Sequence, residues 1–225
     1  MEGIIFRDAT VKDVSFLVET IIEAEKGGTD KLSYTTILGL TETEVRKYLA
    51  KMLLEEIDGC ELSVSSFFCA EINGQVVAAV SLWIEGINGI PSAILKGNLL
   101  NYTLPKRCID RAIYLNQYVL DLNIEYAKNS IQLGYGYALR AFQGKNLAHS
   151  CVLKKIDLLL QIRPDISEAF TQVFECNRPS IIACRRIGFL PIMTLESKHE
   201  EITKYLPYHK KILFRKELSI KQETY

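Results

Sequence analysis

Two apolar runs, SSFFCAEI and QVVAAVSLW, flank Asn73-Gly74 in the first half of the chain. Both central positions of a tight hairpin turn need positive φ, which asparagine and glycine tolerate best, so a β-hairpin is predicted over 66–84. That hairpin commits part of the chain to antiparallel pairing, and the rest must supply layers to cover it.

The segments on either side follow two periods. IIFRDA at 4–9 reads as a strand, and Thr10 with Asp13 gives a capping-box start for a helix carrying Val14, Leu17, Val18 and Ile21, stopped at Gly27-Gly28. A second helix is predicted over 41–57, capped by Thr41 and Glu44, with Val45, Leu49, Met52 and Leu53 as its buried stripe. Residues 86–128, broken by Pro91 and Pro105, show short amphipathic pieces and no strand pattern, and are read as a helical insertion over one end of the sheet.

Alternation returns at 131–139, where Ile131, Leu133, Tyr135, Tyr137 and Leu139 are expected on one face and Gln132, Gly134, Gly136 and Ala138 on a thinner one. A helix follows at about 146–161, with Ala148, Val152, Ile156 and Leu159 inward. Then come a strand within SEAFTQVFEC, a helix over SIIACRRI, a strand after Gly188 and a last strand in KILFRKEL. The order β-α-α-β-β, insertion, β-α-β-α-β-β predicts a single α/β domain over 1–225, with a mixed sheet and helices on both faces.

Composition narrows the function classes. Lysine plus arginine and aspartate plus glutamate both total 27. The first 100 residues are net negative by 7 and the remainder net positive by 7, so a polyanionic ligand would prefer the second part. Lys210, Lys211, Arg215, Lys216 and Lys221 near the C-terminus could equally form a solvated tail. The six cysteines and three histidines have neither C-x-x-C nor zinc-like spacing, so no disulfide framework and no metal site is indicated. MEGIIFRDAT lacks a signal-peptide pattern, and no apolar run approaches the ~20 residues of a membrane span. A cytoplasmic protein is expected, with neither nucleic acid nor membrane among its partners, and a homodimer as the default assembly.

The stretch YALRAFQGKNLAHSCVLKKI carries the chemistry. A strand ends at Leu139, a loop holds Gly144, and a helix begins near Asn146 with Arg140 and Lys145 beside it. Unpaired first-turn amides and the positive end of the helix dipole suit a phosphate or pyrophosphate. Downstream, NRPSIIACRRIGF places Asn177 after a strand, Pro179 in the first turn of a helix, Gly188 as a left-handed cap and Phe189 opening the next strand.

Together the two segments resemble the GNAT acetyltransferase superfamily. That family pairs a Q/R-x-x-G-x-G/A loop with a downstream N-x-x-[AS]…Y-x-x-x-G-F segment in this order. Gln143, Ala148, Asn177, Ser180, Gly188 and Phe189 match, and the opening strand and hairpin resemble the family's start. The resemblance implies a mostly antiparallel, splayed central sheet with helices around it, and acetyl-CoA as acyl donor between the strands at 131–139 and near Cys176. It further implies pyrophosphate on the amides of Gln143, Gly144, Lys145, Asn146, Leu147 and Ala148. The pantetheine arm would lie along Ala138, Leu139 and Arg140, helped by Asn177.

Two positions depart from the pattern. Asn146 replaces the loop's central glycine, a change that asparagine's tolerance of left-handed angles makes mild. Cys184 stands where many members carry a tyrosine that protonates the departing thiolate, and it is either that acid or a packing residue. No carboxylate occurs within 131–139, so Tyr135, Tyr137 and Glu175 are candidates for handling the proton, with Tyr137 and Cys184 as the catalytic pair expected. His149 is read as a helix-surface residue. The activity implied is N-acetyl transfer to a primary amine of a small molecule or protein by direct attack. The alternative is a catalytically impaired relative that binds acyl-CoA as a sensor or scaffold.

Overall fold

The computed structural model describes residues 3–218. Seven strands form one sheet: β1 (Ile4–Asp8), β2 (Phe67–Ile72), β3 (Gln75–Ile84), β4 (Ile131–Ala138), β5 (Glu168–Phe174), β6 (Leu190–Glu196) and β7 (Lys210–Glu217). Their order is β1-β2-β3-β4-β5-β7-β6. Every neighbouring pair is antiparallel except β4 and β5.

The β2–β3 hairpin turns as its dipeptide requires, with φ of 51° at Asn73 and 78° at Gly74. The helices are α1 (Val14–Glu25), α2 (Ser33–Leu38), α3 (Glu42–Leu53), α4 (Ser92–Thr103), α5 (Lys106–Val119), α6 (Leu147–Ile162) and α7 (Arg178–Arg186). Helix α3 starts on the expected capping box: Thr41 Oγ1 accepts from the Glu44 amide at 3.2 Å and Glu44 Oε2 accepts from the Thr41 amide at 2.8 Å, worth ~1 kcal/mol. Its stripe of Val45, Leu49, Met52 and Leu53 is buried. Short α2 is not foreseen by the sequence pattern. The insertion supplies α4 and α5.

Apolar burial divides into two cores, one on each side of the sheet. Helices α1 to α5 cover one face, where Leu17, Ile21, Leu49, Met52 and Leu99 share a core with Phe67 of β2. On the other, α6 and α7 bring Val152, Ile156, Ile181 and Cys184 against Val80, Leu82, Phe189 and Phe214. Each such side chain contributes roughly 1.5–3 kcal/mol by leaving water, so the sheet is sandwiched and its open edges lie at β1 and β6.

The basic run near the C-terminus is not a solvated tail through residue 217. Lys210 pairs with Glu196 at 3.1 Å, and Arg215 with Glu168 and Glu217, both at 3.2 Å, all within the β5-β7-β6 ladder. The alternation of Ile212 and Phe214 toward one core builds β7 from that run. Lys221 lies outside the described residues.

Candidate active site

The site begins with a break in β4. Ile131, Gln132 and Leu133 pair in parallel with Ala169, Phe170 and Thr171, and there the pairing with β5 stops. On the β3 side, Val80 opposes Gly136 and Leu82 opposes Leu133, so Gly134 and Tyr135 together face Ser81. This is a β-bulge, and Ser81 Oγ secures it by accepting the Tyr135 amide at 2.8 Å. A Cβ at Gly134 would lie 2.8 Å from both Ser81 Oγ and the Trp83 ring, so glycine is required by close approach.

The bulge overturns one expectation about faces. Ile131, Leu133, Tyr135 and Tyr137 do not share a side: Ile131 and Leu133 pack under α6 and α7, whereas Tyr135 belongs to the core under α1 and α3. Tyr137 follows Tyr135, its ring centroid 6.2 Å from that of Phe16 on α1. One inserted residue reverses the phase of a period-2 strand. Beyond the bulge, β4 therefore presents tyrosines to the α1 side, while Ala138 joins the opposite core.

The loop after β4 has the predicted form. A 3-10 turn spans Arg140–Phe142, Gly144 has φ 77° with open space around it, and Asn146 takes the left-handed angles φ 59°, ψ 18° before α6. Leu147 is buried and anchors the helix, while Arg140, Gln143, Gly144, Lys145 and Asn146 are exposed. Within the helix the first amide returned to a carbonyl is that of Ser150, bonded to Asn146 O at 2.9 Å. The amides of Leu147 and Ala148 thus face outward with the dipole of a 16-residue helix behind them. Lys145 Nζ sits 4.6 Å above the Phe142 ring. At the end of β4 the Gln143 side-chain amide donates to Ala138 O at 3.1 Å, and the Leu139 amide to Val77 O at 2.9 Å.

Asn177 caps α7, its Oδ1 accepting the Ser180 amide at 3.2 Å, and lies against Gly28 after α1. Cys184 is 7% exposed within the apolar core, and burial pushes its thiol up to about 12. That environment makes Cys184 a packing residue. Tyr137 is partly buried, and its phenol is raised first by burial and then by Glu23 and Glu19. Glu175 forms no side-chain hydrogen bond or ion pair among the described residues; its amide donates to Lys210 O at 3.0 Å. His149 on α6 is held below its usual value by burial and then by Arg186.

Beside the bulge, on the α1 side, lies a polar cluster that sequence reasoning missed apart from Tyr135. Tyr135 donates to Glu61 Oε1 at 2.8 Å and lies 3.3 Å, oxygen to oxygen, from Tyr34. Lys96 of α4 forms an ion pair with Glu61 and lies 3.5 Å from the Tyr135 hydroxyl. Ser33 donates to Glu25 at the end of α1. Burial lifts the Tyr34 phenol to about 12 and, reinforced by Glu61, Tyr135 well above its ordinary value. Burial alone pulls the Lys96 ammonium down, but Glu61, Tyr34 and Glu25 outweigh it and hold the lysine charged. The available signal for Glu61 was its place in CELSVSSFF, a lone charge inside an apolar run. A separate open cleft of about 500 Å³ is lined by Thr29, Asp30, Lys31, Leu32, Thr35, Thr36 and Pro207, none of which belongs to β4 or β5.

The fold as a whole is also found in solved structures. An N-acetyltransferase from Staphylococcus aureus Mu50 superposes with a TM-score of 0.64 at 13% identity, over 94% of this chain and 99% of its own. An agmatine N-acetyltransferase gives 0.55 at 13%, over 96% and 100%. An acetyltransferase of the GNAT family from Streptococcus pneumoniae gives 0.52 at 17%, over 96% and 100%. The chain therefore has the GNAT fold. No protein-family model and no curated protein sequence matches it.

Proposed function

We propose that the protein is an N-acetyltransferase that takes its acetyl group from acetyl-CoA and gives it to a primary amine. The observation that carries this reading is the gap between β4 and β5, bordered on one side by the open start of α6 and on the other by the Glu25–Tyr34–Tyr135–Glu61 cluster. The residues present suit the donor. Gly144 leaves room for close approach, the Leu147 and Ala148 amides face a dianion, and Gly136 with Ala138 keeps one face of β4 thin. Acetyl-CoA supplies the acyl group as a thioester. Arg140, Gln143, Lys145, Asn146 and Asn177 border the stretch that would hold its length.

The division of labour in the cluster follows from its bonding. Glu61 is already committed to Lys96 and Tyr135, and it fixes Tyr135 in place. Glu25 has Ser33 as its hydrogen-bond donor and no ion-pair partner among the described residues, which leaves lone pairs for an incoming ammonium. Glu25 is the base that takes the amine's proton before attack. Tyr137, a phenol that stays protonated, supplies the proton that the leaving thiolate needs, in place of Cys184.

Calorimetric titration with acetyl-CoA tests the site. Wild-type protein binds it, and Ala148→Glu, which sets a carboxylate against the pyrophosphate amides, weakens binding by at least roughly tenfold; because Ala148 also packs against the core, the variant's folding is checked by its melting temperature. With amines present, Glu25→Gln lowers kcat by on the order of 100-fold or more at unchanged acetyl-CoA affinity. Folded wild-type protein that fails to bind acetyl-CoA overturns the reading. The burial of Cys184 favours one second reading, an acyl-CoA sensor; binding without transfer to any amine supports it.

A further inference from the structure

Both residues of the β4 bulge are tied to helix α4 of the insertion, by separate routes. The Tyr135 hydroxyl donates to Glu61 at 2.8 Å, and Glu61 forms an ion pair with Lys96, whose ammonium also lies 3.5 Å from that hydroxyl. Gly134 abuts the Trp83 ring, which a Cβ there would meet at 2.8 Å. The indole N–H of Trp83 donates to Glu85 Oε2 at 3.1 Å, and Glu85 accepts in turn from the amide and the hydroxyl of Ser92, at 2.8 and 2.5 Å. Ser92 opens α4, and Lys96 stands one turn further along the same face of it.

What these bonds bury sets α4 apart from a helix that only covers apolar side chains. Glu85 is 3% exposed and has no ion-pair partner among the described residues, so its charge is held by Trp83, by the two donors of Ser92 and by the positive end of α4. Lys96 is the one charged side chain in Ser92–Thr103, and it reaches the buried Glu61. The polar groups at the start of α4 therefore converge on two adjacent residues of β4, directly after the last pair that joins β4 to β5.

Resting on the acetyltransferase reading, we infer that α4 clamps the β4 bulge and that Lys96 and Glu85 are positioning residues for acetyl transfer. They act through Tyr135 and Trp83 on Tyr137, two residues further along β4. The same bonds separate the roles of the two tyrosines. The proton of Tyr135 is committed to Glu61, whereas the Tyr137 hydroxyl has no hydrogen-bond partner among the described residues and its proton is free to move. In the step they serve, the neutral amine nitrogen bonds to the carbonyl carbon and the carbon–sulfur bond breaks, its electron pair going to sulfur. Sulfur takes the Tyr137 proton, and the proton then shed by the new amide nitrogen restores the phenol. A small shift of the bulge moves Tyr137 off the line to sulfur, which is the kind of misplacement that costs rate rather than donor affinity.

The test compares the full-length wild type with Lys96→Met, Lys96→Arg and Glu85→Gln. Backbone amide exchange reads the bulge itself. Thiol release from acetyl-CoA, with cadaverine, phenethylamine and a tripeptide bearing a free N-terminus as acceptors, reads the chemistry. In Lys96→Met the amides of 134–138 exchange at least about tenfold faster while those of 67–72 keep their protection. Its kcat falls by on the order of 10- to 100-fold, and acetyl-CoA affinity stays within about twofold of wild type. Lys96→Arg recovers part of both losses, and Glu85→Gln moves both in the same direction as Lys96→Met. A merely structural role gives instead faster exchange across the whole sheet and wild-type kcat well below the melting temperature, and that result overturns the inference. So does a Lys96→Met variant with wild-type exchange at 134–138, and a Glu85→Gln variant with wild-type exchange there removes Glu85 from the clamp. If acetyl-CoA binds but none of the three acceptors is used, exchange in the acetyl-CoA-bound protein decides: loosening confined to 134–138 supports the clamp and uniform loosening overturns it. Failure of acetyl-CoA to bind folded wild type instead defeats the function on which the inference rests.

Discussion

Asp13 shows how one buried carboxylate joins three elements. It accepts from Arg7 at 2.7 and 3.0 Å and from the Thr10 amide and hydroxyl at 2.8 and 3.0 Å, while Arg7 also reaches Glu71 on β2. The Arg7 guanidinium holds the Asp13 carboxyl below its ordinary 3.8 against the opposing effect of burial. Because the folded value is the lower one, the stabilisation is complete above about pH 4 and is lost as pH falls through the folded value. Asp13→Asn is expected to cost about 2 kcal/mol at pH 7. Its stability should then decline less than that of wild type between pH 4 and pH 2, as chemical denaturation at each pH will show. Asp13 was legible in the sequence, since a capping residue can be read from its spacing to Thr10. Glu61 and Lys96 were not, because their meaning depends on contacts such as Lys96 with Glu61, 35 positions apart, and Tyr135 with Glu61, 74 positions apart. An unaligned charge reads by default as solvated.

At the scale of elements, the local chemistry of turns and caps carried most of the fold. Asn73-Gly74, the Thr41–Glu44 box and Asn146 at positive φ all follow from what single residues tolerate. Two features escaped. Helix α2 is six residues with two threonines, too short for a period to show. The β4 bulge depends on Ser81 offering a hydroxyl to a backbone amide 54 positions away, and no pattern within 131–139 contains that information. Gly134→Ala tests the bulge directly. The new methyl, 2.8 Å from both Ser81 Oγ and the Trp83 ring, forces β4 to shift. The expected loss is about 1–3 kcal/mol, seen as a lowered melting temperature, together with weaker acetyl-CoA binding. By contrast, Gly144→Ala meets no atom within 4 Å, and its penalty arises only from φ of 77°.

Taken whole, the molecule is two half-sheets, β1 to β4 and β5-β7-β6, whose strands meet along three residue pairs and one side-chain bond, Thr171 Oγ1 to Leu133 O at 2.8 Å. No helix among the described residues is long and apolar enough to cross a membrane. The short β4–β5 junction produces the gap in which the donor is proposed to lie, and it also gives the protein a line of mechanical weakness. Tension applied between β1 and β7 must pass through that seam, as through the perforation in a sheet of paper. In a single-molecule pulling experiment the first rupture should separate the two halves, leaving the β2–β3 hairpin and the β5–β7 ladder to yield at later extension. Acetyl-CoA lying across the gap would act as a stitch and raise the force of that first event while leaving the later ones unchanged.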